Sequence, residues 1–227
     1  MEEYINKWRT ILKILYVHGF LGSANGSASK AIKEQFPDAE VYAPSISFEN
    51  PKKAVDQVRN LARDCDILMA SSLGCLFSVE VRNIPKILIN FALPKDVCPI
   101  YGKRKSNKLL PNKDWYMNEL RSITPKETWN ENDKNYNLFS DSNTYYIFGE
   151  KDEIAHNIKI IDRWIEMEKV HGHFEAMNPC CVYDLPYNFI DGLDINSNII
   201  VVENMGHKFD SSNKKCLEAI KYFVERI

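Results

Sequence analysis

DILMASSLGC, residues 66–75, decides how this chain is read. Its first half is a short apolar run of the kind that forms a strand buried on both faces. Its second half is two serines, a leucine and a glycine, leading into a helical stretch at 73–81. The same rhythm recurs on either side. ILYV at 14–17, VYA at 41–43, ILINF at 87–91, YYIF at 145–148 and IIVV at 199–202 read as further strands. Helical patterns fall between and after them. One runs over 51–63, opened by Pro51, with Ala54, Val55, Val58, Leu61 and Ala62 on one face. Others are carried by Ile154, Ile158, Ile161 and Ile165, and by Cys216, Ile220, Phe223 and Ile227, spaced as one helix face requires. Continuous apolar strands alternating with amphipathic helices predict an α/β fold. Its mostly parallel sheet is covered on both faces, in a single domain spanning 1–227.

Two stretches interrupt the alternation. Residues 95–143 are polar and carry Trp115, Trp129 and Tyr136; residues 171–198 contain two prolines and little periodicity. Segments of that length are usually functional insertions. The first leaves the sheet after the 87–91 strand, at the end where Ser72 lies, and is expected to form a cap. Within it, 102–113 holds five basic residues and no acidic one, which reads as a solvated loop or as a contact for an anionic substrate group.

Bulk composition narrows the partners. A formal net charge of −2 gives no global field toward nucleic acid or an anionic membrane. No apolar stretch is long enough to span a bilayer, and the acidic Met-Glu-Glu-Tyr start lacks the features of a signal peptide, so the expected location is cytoplasmic. The six cysteines are scattered among apolar neighbours or adjacent (Cys180, Cys181), which favours buried thiols over a disulfide framework. His171, His173, Cys180 and Cys181 do not have the spacing of a structural zinc site, and no metal is expected.

The chemistry gathers at strand ends. Between a strand and a helix, a serine can sit in a strained turn if its neighbours are small. Ser72 has Gly74 two positions on; Ser71 has Leu73 there, so Ser72 is the favoured nucleophile. Ala70 stands where a glycine is usual, one methyl group larger. The His18-Gly19-Phe20 turn can aim a backbone N–H at a substrate oxygen, and the Leu73 N–H makes a second donor. His18 itself reads as a structural histidine. A serine needs a base, and the base needs an orienting carboxylate. His207, after the 199–202 strand, and Asp152, after the 145–148 strand, supply both in the chain order Ser, Asp, His. Glu150 and Glu153 are rival carboxylates that read as solvated loop charges, with Glu150 left open by the sequence. Asp191 and Asp194 precede the strand that carries His207.

Five stretches together resemble the short bacterial serine esterases of the α/β-hydrolase superfamily: LYVHGFLGS at 15–23, ILMASSLGC at 67–75, KILINFAL at 86–93, YYIFGEKDEI at 145–154 and NMGHKF at 204–209. The resemblance covers most of the expected core and neither of the two interrupting stretches. It implies a Ser72–His207–Asp152 triad and backbone oxyanion donors at Phe20 and Leu73. It also implies hydrolysis of a small carboxylic ester without a cofactor. A thioesterase or peptidase would use the same residues, and a hydrolase-fold binding protein without turnover is the reading from a different class. The superfamily often begins with an antiparallel hairpin, which the few residues before the 14–17 strand leave absent or trimmed.

Overall fold

The computed structural model describes residues 11–20, 22–92, 113–123, 143–154 and 198–227. Six strands form one sheet in the order β2-β1-β3-β4-β5-β6. They are β1 (Lys13–Val17), β2 (Glu40–Tyr42), β3 (Ile67–Ser71), β4 (Lys86–Ile89), β5 (Thr144–Gly149) and β6 (Ile199–Val202). Every pairing is parallel. Among the described residues five helices accompany them: α1 (Ser27–Gln35), α2 (Pro51–Ala62), α3 (Leu73–Ser78), α4 (Lys113–Ile123) and α5 (Lys214–Val224).

Period-two alternation along buried strands sends successive side chains to opposite faces of the sheet. Leu15, Val17, Leu68, Ala70 and Leu88 point to one face, where α2, α3 and α4 cover them. Ile14, Tyr16, Ile67, Met69 and Ile87 point to the other, under α1 and α5. Both faces are therefore dry, and the strand sequences read as unbroken apolar runs for that reason.

Local signals set the helix boundaries. Asn50 caps α2 by accepting the Lys53 N–H on its side chain, and Pro51 occupies the first turn, where its missing N–H costs nothing. The helix after Ser72 stops at Ser78 rather than running to 81. Ile227 lies beyond the end of α5 and is 46% exposed, so the helix face is carried by Cys216, Ile220 and Phe223 alone.

Of the 95–143 insertion, α4 and Asn143 are among the described residues. Its Tyr116 and Leu120 are buried in the same cluster as α2 and α3, and Glu119 lies 3.8 Å from Lys52 of α2. The rest of that insertion, the expected 154–165 helix beyond Ile154 and the 171–198 stretch before Asn198 lie outside the described residues. Among the described residues no helix is long and apolar enough to cross a membrane.

The strand order reverses between β1 and β3. The chain leaves β1 for β2 on one side and returns to β3 on the other. Loops at the carboxyl ends of such strands diverge and open a crevice, the usual ligand site of a parallel sheet.

Phe223 is fully buried, with its ring 4.7 Å from that of Tyr145 on β5. Phe223→Ala is expected to lower unfolding free energy by about 3–5 kcal/mol, read from urea denaturation, because the cavity is lined by sheet and helix that cannot collapse into it.

Candidate active site

The turn after β3 lies at the carboxyl end of the sheet, beside the point where the strand order reverses. β3 ends at Ser71 and α3 begins at Leu73, which leaves Ser72 alone to reverse the chain. It does so with φ 52° and ψ −125°, a left-handed conformation that a side-chain-bearing residue seldom adopts. Backbone bonds hold it there: Ser72 N–H donates to Ile89 O at 2.9 Å, and Ser72 O accepts from Cys75 N–H at 3.0 Å.

Glycine at 74 is a steric requirement. A Cβ there would lie 2.6 Å from both the Val17 and His18 carbonyl oxygens. A Cβ on Gly19 would lie 2.8 Å from the Ser72 Cβ. The turn after β1 and the turn after β3 thus touch backbone to backbone. Ala70 is different: it is paired with Val17 in the ladder and fully buried, so its extra methyl group is absorbed by the core.

Three side chains from three strand ends meet at this turn. Ser72 Oγ is 2.7 Å from His207 Nε2. His207 Nδ1 is 2.9 Å from both carboxylate oxygens of Asp152. An ionised carboxylate only accepts, so Nδ1 carries the imidazole proton, and Nε2 is left as the acceptor for the serine hydroxyl. The Asp152 side chain is fully shielded from solvent and the His207 side chain nearly so. Asp152 Oδ1 also accepts the Ile154 N–H at 2.9 Å.

The loops carrying Asp152 and His207 are laced together. Glu150 N–H donates to Val202 O and Lys151 N–H to Met205 O. Glu150 and Glu153, read from sequence as solvated charges, are bracing groups. Glu150 Oε2 accepts the Asn204 N–H at 2.8 Å, and Glu153 Oε2 lies 3.4 Å from the His207 backbone N. Asp191 and Asp194 fall outside the described residues.

Ser71 faces the other side of the sheet. Its Oγ is 2.8 Å from the Tyr16 hydroxyl in a buried pair, and burial pushes the Tyr16 phenol up, out of the range in which it could ionise near neutrality. His18 spends Nδ1–H on Gly19 O at 2.9 Å and packs against Phe48, with burial holding its proton affinity below the ordinary histidine range. Phe20 is half-buried against Phe48, edge to face, while Leu73 is buried at the start of α3. Burial likewise raises the Cys75 and Cys216 thiols, which are inert. Among the described residues no group of three or more His, Cys, Asp or Glu side chains could hold a metal ion; His171, His173, Cys180 and Cys181 lie outside them.

One polar residue at the site escaped the sequence reading. The apolar run over 87–91 puts Asn90 inside a strand, but β4 ends at Ile89 and Asn90 turns left-handed, φ 49°. Its side chain bonds Gly149, Gly206 and His207. An asparagine interrupting an apolar run was the available signal, since Asn is depleted in strands and tolerates this conformation.

Several solved structures share this architecture. An α/β-hydrolase enzyme, MGS-MChE2, from the metagenome of sediments of the Mar Chica lagoon, Morocco, matches with TM-score 0.61 at 12% identity, over 96% of this chain and 92% of its own. Est1E from Butyrivibrio proteoclasticus matches with TM-score 0.54 at 14% identity, over 98% and 90%. Mouse α/β-hydrolase domain-containing protein 10 matches with TM-score 0.54 at 13% identity, over 94% and 90%. No family model and no curated protein sequence matches the chain. The chain has the α/β-hydrolase fold.

Ser71→Ala should leave the Tyr16 hydroxyl buried without its partner. The expected loss is about 1–3 kcal/mol of stability, measured by chemical denaturation, with no change in the geometry at Ser72.

Proposed function

We propose that this α/β-hydrolase-fold chain is a serine hydrolase that cleaves carboxylic esters through an acyl-enzyme, with Ser72 as nucleophile, His207 as general base and Asp152 as the orienting carboxylate. The observation that carries the reading is the unbroken relay from Ser72 Oγ through both nitrogens of His207 to a solvent-shielded Asp152, mounted on a strained turn. A fold hosts many functions, so the argument rests on this site. A structural role for three such groups would not need the serine in a left-handed turn at the mouth of the crevice.

In the first step His207 Nε2 takes the Ser72 proton as Oγ attacks the ester carbonyl carbon. Charge develops on the carbonyl oxygen, and we assign its stabilisation to the backbone N–H groups of Phe20 and Leu73. Contact of Gly19 with Ser72 brings the first of these turns against the nucleophile. The imidazolium then protonates the departing alcohol. In the second step His207 removes a proton from water, which attacks the acyl-enzyme and releases the acid. Asp152 keeps the proton on Nδ1 throughout, so that Nε2 always faces the reacting groups. Each proton and bond is accounted for by these residues and water, so the reaction calls on no cofactor.

A fluorophosphonate probe reacts quickly only with an activated serine. Mass spectrometry is expected to find the adduct on Ser72, to lose it in Ser72→Ala and to retain it in Ser71→Ala. A label on Ser71, or none, would overturn the reading.

Asp152→Asn is expected to lower kcat on a small ester by roughly 10⁴, the size of loss that follows when the histidine is held in the wrong tautomer. Glu150→Gln is expected to cost far less. The reverse order in steady-state kinetics would move the carboxylate role to Glu150.

A further inference from the structure

We infer that Asn90 is a positioning residue for this reaction: its side-chain amide sets the distance between the Asp152 loop and the His207 loop and ties both to the strand beside the nucleophile. The inference rests on the proposed serine hydrolase and adds a fourth residue to it.

The geometry is that of a three-way clamp. Asn90 is 1% exposed. Its Oδ1 accepts the Gly149 N–H at 2.7 Å, at the start of the turn that presents Asp152. Its Nδ2 donates both hydrogens, to Gly206 O at 3.0 Å and to His207 O at 2.9 Å. The amide orientation follows from the partners, because an N–H must face an acceptor and two carbonyls must face donors. The residue before it, Ile89, accepts the Ser72 N–H, so one dipeptide touches the backbones of the nucleophile, acid-loop and base-loop segments.

Beyond the Asp152–His207 bond itself, the other described braces between the acid and base loops run from exposed side chains or from the loops' own backbones. Those from Glu150 and Glu153 are solvent-accessible. Asn90 reaches them from the sheet, which is the rigid part of the molecule. No other side chain satisfies the three partners at once. Aspartate has acceptors only, leucine has neither donor nor acceptor, and glutamine is a methylene longer. The left-handed backbone narrows the choice again, since Asn tolerates φ 49° and β-branched residues do not.

Two variants separate side chain from backbone. Asn90→Gly keeps the left-handed conformation and deletes the amide. Asn90→Asp keeps the size and the oxygen toward Gly149 but turns a second oxygen onto two carbonyls. Each is compared with the parent protein in three ways: circular dichroism for folding, the rate of fluorophosphonate labelling of Ser72 per folded molecule, and the downfield proton resonance of His207 Nδ1–H. The expected result is a folded protein that labels about 100-fold more slowly, the scale of loss from a misplacement of about 1 Å. The resonance should be shifted or lost, and the KM for a small ester should stay near the parent value while kcat falls. Should Asn90→Asp fail to fold, Asn90→Gly alone decides. Parental labelling and an unmoved resonance in the folded variant would overturn the role of Asn90 and leave the hydrolase reading standing. A parent protein that does not label at Ser72 would bring down both.

Discussion

The site depends on a contact between two stretches of backbone. The turn after β1 and the turn after β3 press against each other where Gly74 meets the Val17 and His18 carbonyls and Gly19 meets Ser72. Such contact is possible only because β1 and β3 are neighbours in the sheet, although β2 and α2 intervene in the chain. Beside that contact Ser72 takes up a left-handed turn. The strain is held by bonds to Ile89 and Cys75 and by the buried α3 behind it. Side-chain chemistry at the crevice is thus downstream of sheet order.

The remaining groups reach the serine by the same parallel geometry. β4, β5 and β6 run in the same direction, so their carboxyl ends lie on one rim, and each contributes a single turn. Asp152 is presented by the turn after β5 and His207 by the turn after β6. Gly149 is where these turns cross; a side chain there would collide with the Met205 carbonyl. The rim is built from short, glycine-relieved approaches between backbones, with polar side chains filling the gaps.

Much of this was legible in the sequence because burial on both faces leaves an unmistakable trace. ILYV, ILMA and IIVV are apolar without alternation, and each ends in glycine, serine or a charged turn. The spacing to Gly74 favours Ser72 over Ser71 as the proposed nucleophile, and the pleat sends Ser71 to the opposite face, where it meets Tyr16 in the core. Boundaries were less legible. The helix after Ser72 ends at Ser78, and the Val81 N–H turns back to the Ser78 carbonyl instead of continuing the helical ladder. The structural work of Asn90, Glu150 and Glu153 was hidden for a different reason. Each bonds a backbone group remote in sequence, and backbone partners leave no residue-type signature to read.

Ser72 and His207 are separated by 135 positions, and β6, which presents the histidine, occupies the edge of the sheet. Contacts of that span form late, since closing a long loop is entropically costly until neighbouring strands provide a template. In chain order β1, β3 and the Ser72 turn precede by far the segment that holds the proposed base. The Ser72–His207 contact needs β6 in place, because the histidine follows that strand. On the function proposed above, reactivity belongs to the finished molecule, since a chain without β6 lacks the segment that presents His207.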